Sequence, residues 1–491
     1  MNHGIILGGY SLAGQKETFI NRSPGSYRIA SYCRELGWDM DVVDYIALWD
    51  PKELFDYLCQ LIEKKQTKFI GVSYNWLVGI SNNILDLFSS LKLKFPNLIT
   101  LVGGQTPFNT DLSADWYVYG YGEEALDAIL KYEFAEGDTP ISIAKFGGRY
   151  VNAVKDYPSI SSKVYNIKYT ERDLLDDKDV ISLEMSRGCK FKCSYCNYPF
   201  IGFKKDTSTE EEILYAELNE NYQKWGTTTY IIADDTYNDR MEKMIKLRNV
   251  VKRLDFEPNF ACFIRADLLS TNPDAIKVLT ESRVWSHYYG IETFNRESGR
   301  AIGKGMDPNR IKDAILSTRE YMLSEIDAYR GTVGMIAGLP GESPESWQQS
   351  EDWFNEHWSD QNRLWWALQI TNDNDNLSAF GQNLKKYGYR KWWGPTPTDM
   401  TIDEVHKQSE NNIVWENDLT NIFEADQYCI KIREKKQPLD SFTTMGYVPH
   451  FGVLGAQKII CNSETKIIND QWNEVALPRV DRYIQGKKLH L

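Results

Sequence analysis

The chain has 491 residues, 42% of them apolar and 25% charged, proportions of a globular protein able to bury two or three cores. Its formal net charge of −13 argues against broad binding to a nucleic-acid backbone, which needs Lys and Arg to neutralise phosphates. No apolar run reaches the ~18 residues of a membrane span, and Met1 leads almost directly into an apolar strand with no secretory signal. A reducing, cytoplasmic setting without membrane partners is therefore expected.

Up to residue 134, β-rich runs alternate with helical ones, as in an open α/β domain with a Rossmann-like parallel sheet. Strands are predicted at Gly4–Gly9, Met40–Ile46, Phe69–Tyr74, Ile99–Gly104 and Trp116–Tyr119, and helices at Ser26–Leu36, Lys52–Lys64 and Ile80–Leu93. Ligands of such sheets bind beyond the carboxyl ends of the strands, where the loops Gly8–Gly14, Ser73–Val78, Gly103–Phe108 and Gly120–Glu124 lie. Residues 135–175 read as a connector. From 176 to 370 the alternation resumes, with strands at Val180–Met185, Thr229–Asp235, Phe260–Asp267, Val284–Glu292, Gly331–Ala337 and Trp365–Ile370. Six such units suit an incomplete (β/α)6 barrel of the TIM type. Residues 371–491 read as a mainly helical cap beside the substrate, with helices near Ile402–Glu410 and Asn417–Glu434.

The first barrel strand runs into Arg187-Gly188-Cys189-Lys190-Phe191-Lys192-Cys193-Ser194-Tyr195-Cys196, which contains the spacing C-x3-C-x2-C. A [4Fe-4S] cluster normally takes four thiolates, so three on one tight loop leave the fourth iron open to a chelating ligand. A four-thiolate zinc site would want a second ligand pair, yet Cys33, Cys59, Cys262, Cys429 and Cys461 are scattered singly. The loop closely resembles the signature of the radical S-adenosylmethionine enzymes, with Tyr195 in the aromatic position before the third cysteine. The resemblance implies that Cys189, Cys193 and Cys196 hold the cluster and that S-adenosylmethionine chelates the open iron. It further implies an external electron donor such as flavodoxin or ferredoxin, and reductive cleavage to a 5′-deoxyadenosyl radical.

Later strand ends resemble the family's cofactor-binding segments, in the family's order. Asp234-Asp235-Thr236 offers carboxylates for the ammonium group of S-adenosylmethionine, with a helix cap as the competing reading. Arg265-Ala266-Asp267 supplies a guanidinium for a carboxylate, either the cofactor's or that of Asp267 or Glu292. Gly290-Ile291-Glu292-Thr293, followed by Gly303-Lys304-Gly305, makes Glu292 a candidate for the ribose or ammonium. Gly334-Met335-Ile336-Ala337-Gly338 resembles the segment that packs on adenine, at Gly338. His287, alone on its strand, reads more readily as a core residue than as a catalyst.

The N-terminal domain resembles the cobalamin-binding domain of a large subclass of the family. The likeness rests on strand order, on Gly103-Gly104, and on Gly120-Tyr121-Gly122-Glu123; Ser73, Gly103 and Gly104 are the candidate cofactor contacts. The loop Gly9-Tyr10-Ser11-Leu12-Ala13-Gly14 lacks the Asp-x-His-x-x-Gly of domains that ligate cobalt through histidine, so cobalamin, bound or lost, stays open. With cobalamin, the resemblance implies methyl transfer to an unactivated carbon or phosphorus of a small or macromolecule-attached substrate. Without it, a radical rearrangement, cyclisation or oxidation is implied. A noncatalytic iron-sulfur protein is the alternative from outside enzymology.

Overall fold

A computed structural model of the chain describes residues 1–9, 22–73, 86–104, 112–135, 137–157, 166–196, 208–326, 329–371, 378–396, 400–408, 412–435, 438, 440–442, 445, 448–449, 474 and 477–491. They form two compact units. One comprises Met1–Arg187, Thr207–Ile231 and Thr465–Leu491, the other Gly188–Asp206 and Ile232–Glu464.

In the first unit, β1 (His3–Leu7), β2 (Asp39–Val43), β3 (Phe69–Ser73), β4 (Ile99–Gly104), β5 (Trp116–Tyr119), β6 (Ile143–Lys145) and β7 (Gly148–Asn152) form a sheet ordered β2-β1-β3-β4-β5-β7-β6. All five residues of β1 are buried, the near-continuous apolar run expected of a parallel strand covered on both faces. Pro51 opens the helix Pro51–Lys65, and the Asp50 side chain caps it by accepting the Glu53 N–H, which satisfies a donor the helix leaves unpaired. The order 2-1-3-4-5 reverses between β1 and β3, the crevice where open α/β sheets take ligands.

The segment read as a connector instead extends this sheet. β7 runs parallel to β5 and turns back on β6 through Phe146 and Gly147, both at positive φ, +58° and +83°. Two such residues make the tight turn whose twist matches a hairpin. The last helix, Leu477–Leu489, belongs to this unit rather than to a single C-terminal cap. Its Arg479 and the N-terminal Arg22 share the fully buried Asp179, Arg22 with two bonds of 2.8 and 2.9 Å. A buried carboxylate needs such partners.

A second sheet contains β8 (Val180–Leu183), β9 (Thr229–Ile232), β10 (Asn259–Ile264), β11 (Val284–Glu292), β12 (Arg330–Ala337) and β13 (Asn362–Ala367), adjacent in sequence order. Within the second unit β10 through β13 pair in parallel. A register shift between Gly290 and Glu292 ends β11 with Glu292 in the left-handed region at φ +69°. C-terminal to the barrel, the described residues form short helices and a two-stranded antiparallel ribbon, Arg390–Lys391 with Trp415–Glu416. No described helix is long and apolar enough to cross a membrane.

Candidate active site

The cluster loop is shaped by its own backbone and by two later segments. The Cys196 N–H bonds the Cys193 carbonyl, while Ser194 is held three ways: its N–H donates to the Ile302 carbonyl, its hydroxyl to the Ala301 carbonyl at 2.9 Å, and its carbonyl accepts the Phe380 N–H. Cys189, Cys193 and Cys196 are all half-buried free thiols. Burial pushes the Cys189 thiol above its ordinary value, with the Thr236 hydroxyl 3.8 Å from its sulfur. Among the described residues no three or more His, Cys, Asp or Glu side chains gather tightly enough for a single metal ion. The group that the cysteine spacing implies is a [4Fe-4S] cluster, with one thiolate on each of three irons. Three thiols without disulfide partners, on a loop where an arginine faces one sulfur, fit it.

That arginine is Arg265. Its Nη1 lies 3.5 Å from the Cys193 sulfur, its Nε and Nη2 fork onto Asp267 at 3.0 and 2.7 Å, and its guanidinium covers the Phe191 ring at 3.9 Å. Asn238 fixes its backbone, accepting the Arg265 N–H and donating to its carbonyl. Both readings of Arg265 thus have a partner here: an acidic neighbour and a face toward the cluster loop.

Glu292 takes the Tyr195 hydroxyl and the Lys304 ammonium on one oxygen, each at 2.8 Å. Lys304 also donates to the Gly290 carbonyl, so the two sequence segments that carried these residues meet. Burial, with the Glu292 carboxylate second, holds the Tyr195 phenol well above its usual range, so it donates its proton rather than losing it.

Asp234 and Asp235 part company. Asp234 is buried and engaged by Lys243 at 3.0 Å, a lysine that also bonds the Thr236 carbonyl and Asp239; Asp235 is exposed. The neighbour of Gly338 is protein: at φ +99°, a Cβ there would stand 2.2 Å from the Trp415 ring. His287 faces away from the lumen as a satisfied core residue. Its Nδ1 meets the Tyr289 hydroxyl and its Nε2 the Val284 carbonyl, both at 2.8 Å, and burial lowers its pKa to about 4.

In the first unit Ser73, Gly103 and Gly104 lie at the carboxyl ends of β3 and β4, all half-exposed. Gly104 sits at φ +147°, and a Cβ on Gly103 would meet nothing closer than 3.8 Å. No described side chain of this rim is larger than a hydroxymethyl group, so it fits a flat macrocycle laid on the sheet edge. Most of the loops after β1, β3 and β4, including Tyr10–Gly14 and Tyr74–Val78, lie outside the described residues.

Sequence reasoning missed Lys243, Asn238, Phe191 and the Phe380 contact. Phe191 carried a local signal, as a loop aromatic between two cysteines, and Phe380 stands in a segment, Ser378-Ala379-Phe380, similar to ones found after the barrel in cobalamin-type relatives.

Residues 183–354 match the family model of the radical SAM superfamily. An uncharacterized methyltransferase of Pyrococcus horikoshii, PH0819, is 22% identical over 65% of this chain and 69% of its own length. The hopanoid C-3 methylase of Methylococcus capsulatus is 22% identical over 57% and 55%. Among solved structures, the radical S-adenosylmethionine methyltransferase TsrM of Kitasatospora setae, with cobalamin and a [4Fe-4S] cluster bound, superposes with TM-score 0.61 at 13% identity, covering 82% of each chain. The cobalamin-dependent radical enzyme OxsB does so with TM-score 0.55 at 12% identity, covering 91% of this chain and 65% of its own. Signature, family match and fold agree: the chain carries a radical SAM domain over residues 183–354, preceded in sequence by an open parallel sheet, and its fold is similar to those of TsrM and OxsB.

Proposed function

We propose that the protein transfers a methyl group to an unactivated carbon or phosphorus, using a [4Fe-4S] cluster on Cys189, Cys193 and Cys196 together with S-adenosylmethionine and cobalamin. When bound, these groups supply the electron that cleaves S-adenosylmethionine to a 5′-deoxyadenosyl radical and the methyl group that is passed on. The observation that carries methyl transfer is the small-residue rim of Ser73, Gly103 and Gly104 beside the β1/β3 reversal, in a chain whose curated relatives include named methylases.

The residues' own tasks follow from their contacts. The half-buried thiols of Cys189, Cys193 and Cys196 ligate, and Arg265 donates toward the Cys193 sulfur while Asp267 keeps its fork aligned. Lys304 and Tyr195 orient the Glu292 carboxylate for a ribose hydroxyl or an ammonium group. Asp235, just beyond β9, is exposed, whereas Asp234 is buried against Lys243. Holding these groups on rigid strand ends orients the reacting atoms.

The test is anaerobic purification with hydroxocobalamin, metal analysis, then reduction with S-adenosylmethionine present. About four irons with cobalt, and both 5′-deoxyadenosine and S-adenosylhomocysteine formed, are expected. Iron without cobalt, and 5′-deoxyadenosine alone, would replace methyl transfer by a cobalamin-free rearrangement or oxidation.

A further inference from the structure

Phe263 on β10 and Trp366 on β13 are 39% and 43% exposed, although their strand neighbours Cys262, Ile264 and Trp365 are at most 2% exposed. Their rings point to the face of the sheet that also carries Tyr288. Phe263 is the register partner of Tyr288, with centroids 5.2 Å apart and edge to face, and the Trp366 side chain lies close to the Tyr288 hydroxyl. Gly334 makes room for this, since a Cβ there would stand 2.6 Å from the Tyr288 oxygen.

One side of the ring group is sealed. The Ser441 N–H donates to the Thr332 hydroxyl and its carbonyl accepts the Ser286 hydroxyl, both at 2.7 Å. This seats Phe442 nearly parallel to Tyr288, centroids 5.9 Å apart at 26°, and 4.9 Å from Phe263. Further toward the carboxyl ends of the same strands lie Arg265 with Asp267 and Glu292 with Lys304, two matched ion pairs. Aromatic surface is thus left open beside these ion pairs, with the Arg433 guanidinium over the Trp366 ring at 5.6 Å. Exposed rings of this kind offer offset or edge-on stacking to another ring and little to an anion.

We infer that Phe263, Tyr288, Trp366 and Phe442 form an aromatic floor that binds a flat aromatic ring of the substrate. The inference deepens, and rests on, the reading of this site as the radical active site.

The test uses the cluster-loaded protein with S-adenosylmethionine and probes of similar size: indole-3-carboxamide and quinoline against cyclohexanecarboxamide, followed by saturation-transfer NMR. The aromatic probes are expected to bind about tenfold tighter than the saturated one. Phe263→Leu and Trp366→Leu, which keep apolar volume but remove the ring, should each erase that preference while iron content stays at the wild-type level. Equal binding of saturated and aromatic probes, or an undiminished preference in both variants, overturns the floor. Failure of the radical reading shows separately, as no 5′-deoxyadenosine from the reduced wild-type protein.

Discussion

Trp415 lies where a side chain at position 338 would begin, 2.2 Å from an ideal Cβ, and Gly338 also holds a φ of +99° that L residues avoid. Both terms oppose Gly338→Ala, which should destabilise the protein by about 2 kcal/mol or more. Trp415→Phe in the same chain should recover part of that loss, read as a less than additive fall in the thermal midpoint. His287 offers a pH test. Its folded pKa is lowered from 6.5 to about 4 by burial, so below pH 6.5 the unfolded chain binds a proton that the folded one refuses. The stabilisation is complete above pH 6.5 and is lost as pH falls toward 4, on the order of 3 kcal/mol in all. The stability gap between wild type and His287→Gln should narrow across that window; a gap constant with pH would show that the imidazole does not titrate as its burial demands.

The short helix Arg296–Ala301 acts as a brace between separate segments proposed to hold the cofactors. Asn295 caps it by accepting the Glu297 and Ser298 N–H groups. The Ser298 hydroxyl bonds the Pro340 carbonyl at 2.7 Å, and Thr293, just before the helix, bonds the buried Glu342 at 2.5 Å. The helix end receives Ser194 of the cluster loop, and the chain then returns to Glu292 through Lys304. Removing one neutral hydrogen bond costs about 1 kcal/mol, little for the fold but directed at the loop. Ser194→Ala should therefore lose iron to a chelator several times faster than wild type, while its thermal midpoint moves by no more than a few degrees. Equal rates of iron loss would mean that the backbone bonds of Ser194 suffice. Lys304→Met leaves Glu292 with Tyr195 alone and should weaken S-adenosylmethionine binding about tenfold at unchanged iron content, measured by equilibrium dialysis.

At the scale of the whole chain, the two proposed cofactor sites draw on different sheets, so each should be lost separately. Gly103→Leu is tolerated sterically, because its Cβ has only ordinary contacts at 3.8 Å and beyond, but it would set a bulky chain on the rim that the macrocycle is proposed to cover. Cobalt content should fall to about a tenth or less, with iron unchanged, in metal analysis of the purified protein. Undiminished cobalt would move the proposed cobalamin site away from β4.

The candidate cluster cysteines stand out in the linear chain because such a motif is local: three thiols within eight residues carry their own spacing. Strand positions in both sheets were legible for a related reason, since buried parallel strands are continuous apolar runs and the turns between them are marked by Gly and Pro. The β6/β7 hairpin escaped because strands of three and five residues are too short for periodicity to register. Which of the two carboxylates is buried was likewise undecidable from Asp234-Asp235, for the answer is Lys243, nine residues on and buried against the first. Nor could spacing reveal that Trp415 dictates Gly338, that Phe380 holds Ser194, or that Asp179 draws in Arg22 and Arg479 from opposite ends of the chain. Sequence determined the chemistry, because reactive residue types and their local spacing are covalent facts. Tertiary structure decided partners and availability, because burial makes a charge or a missing Cβ depend on residues that only folding brings within reach.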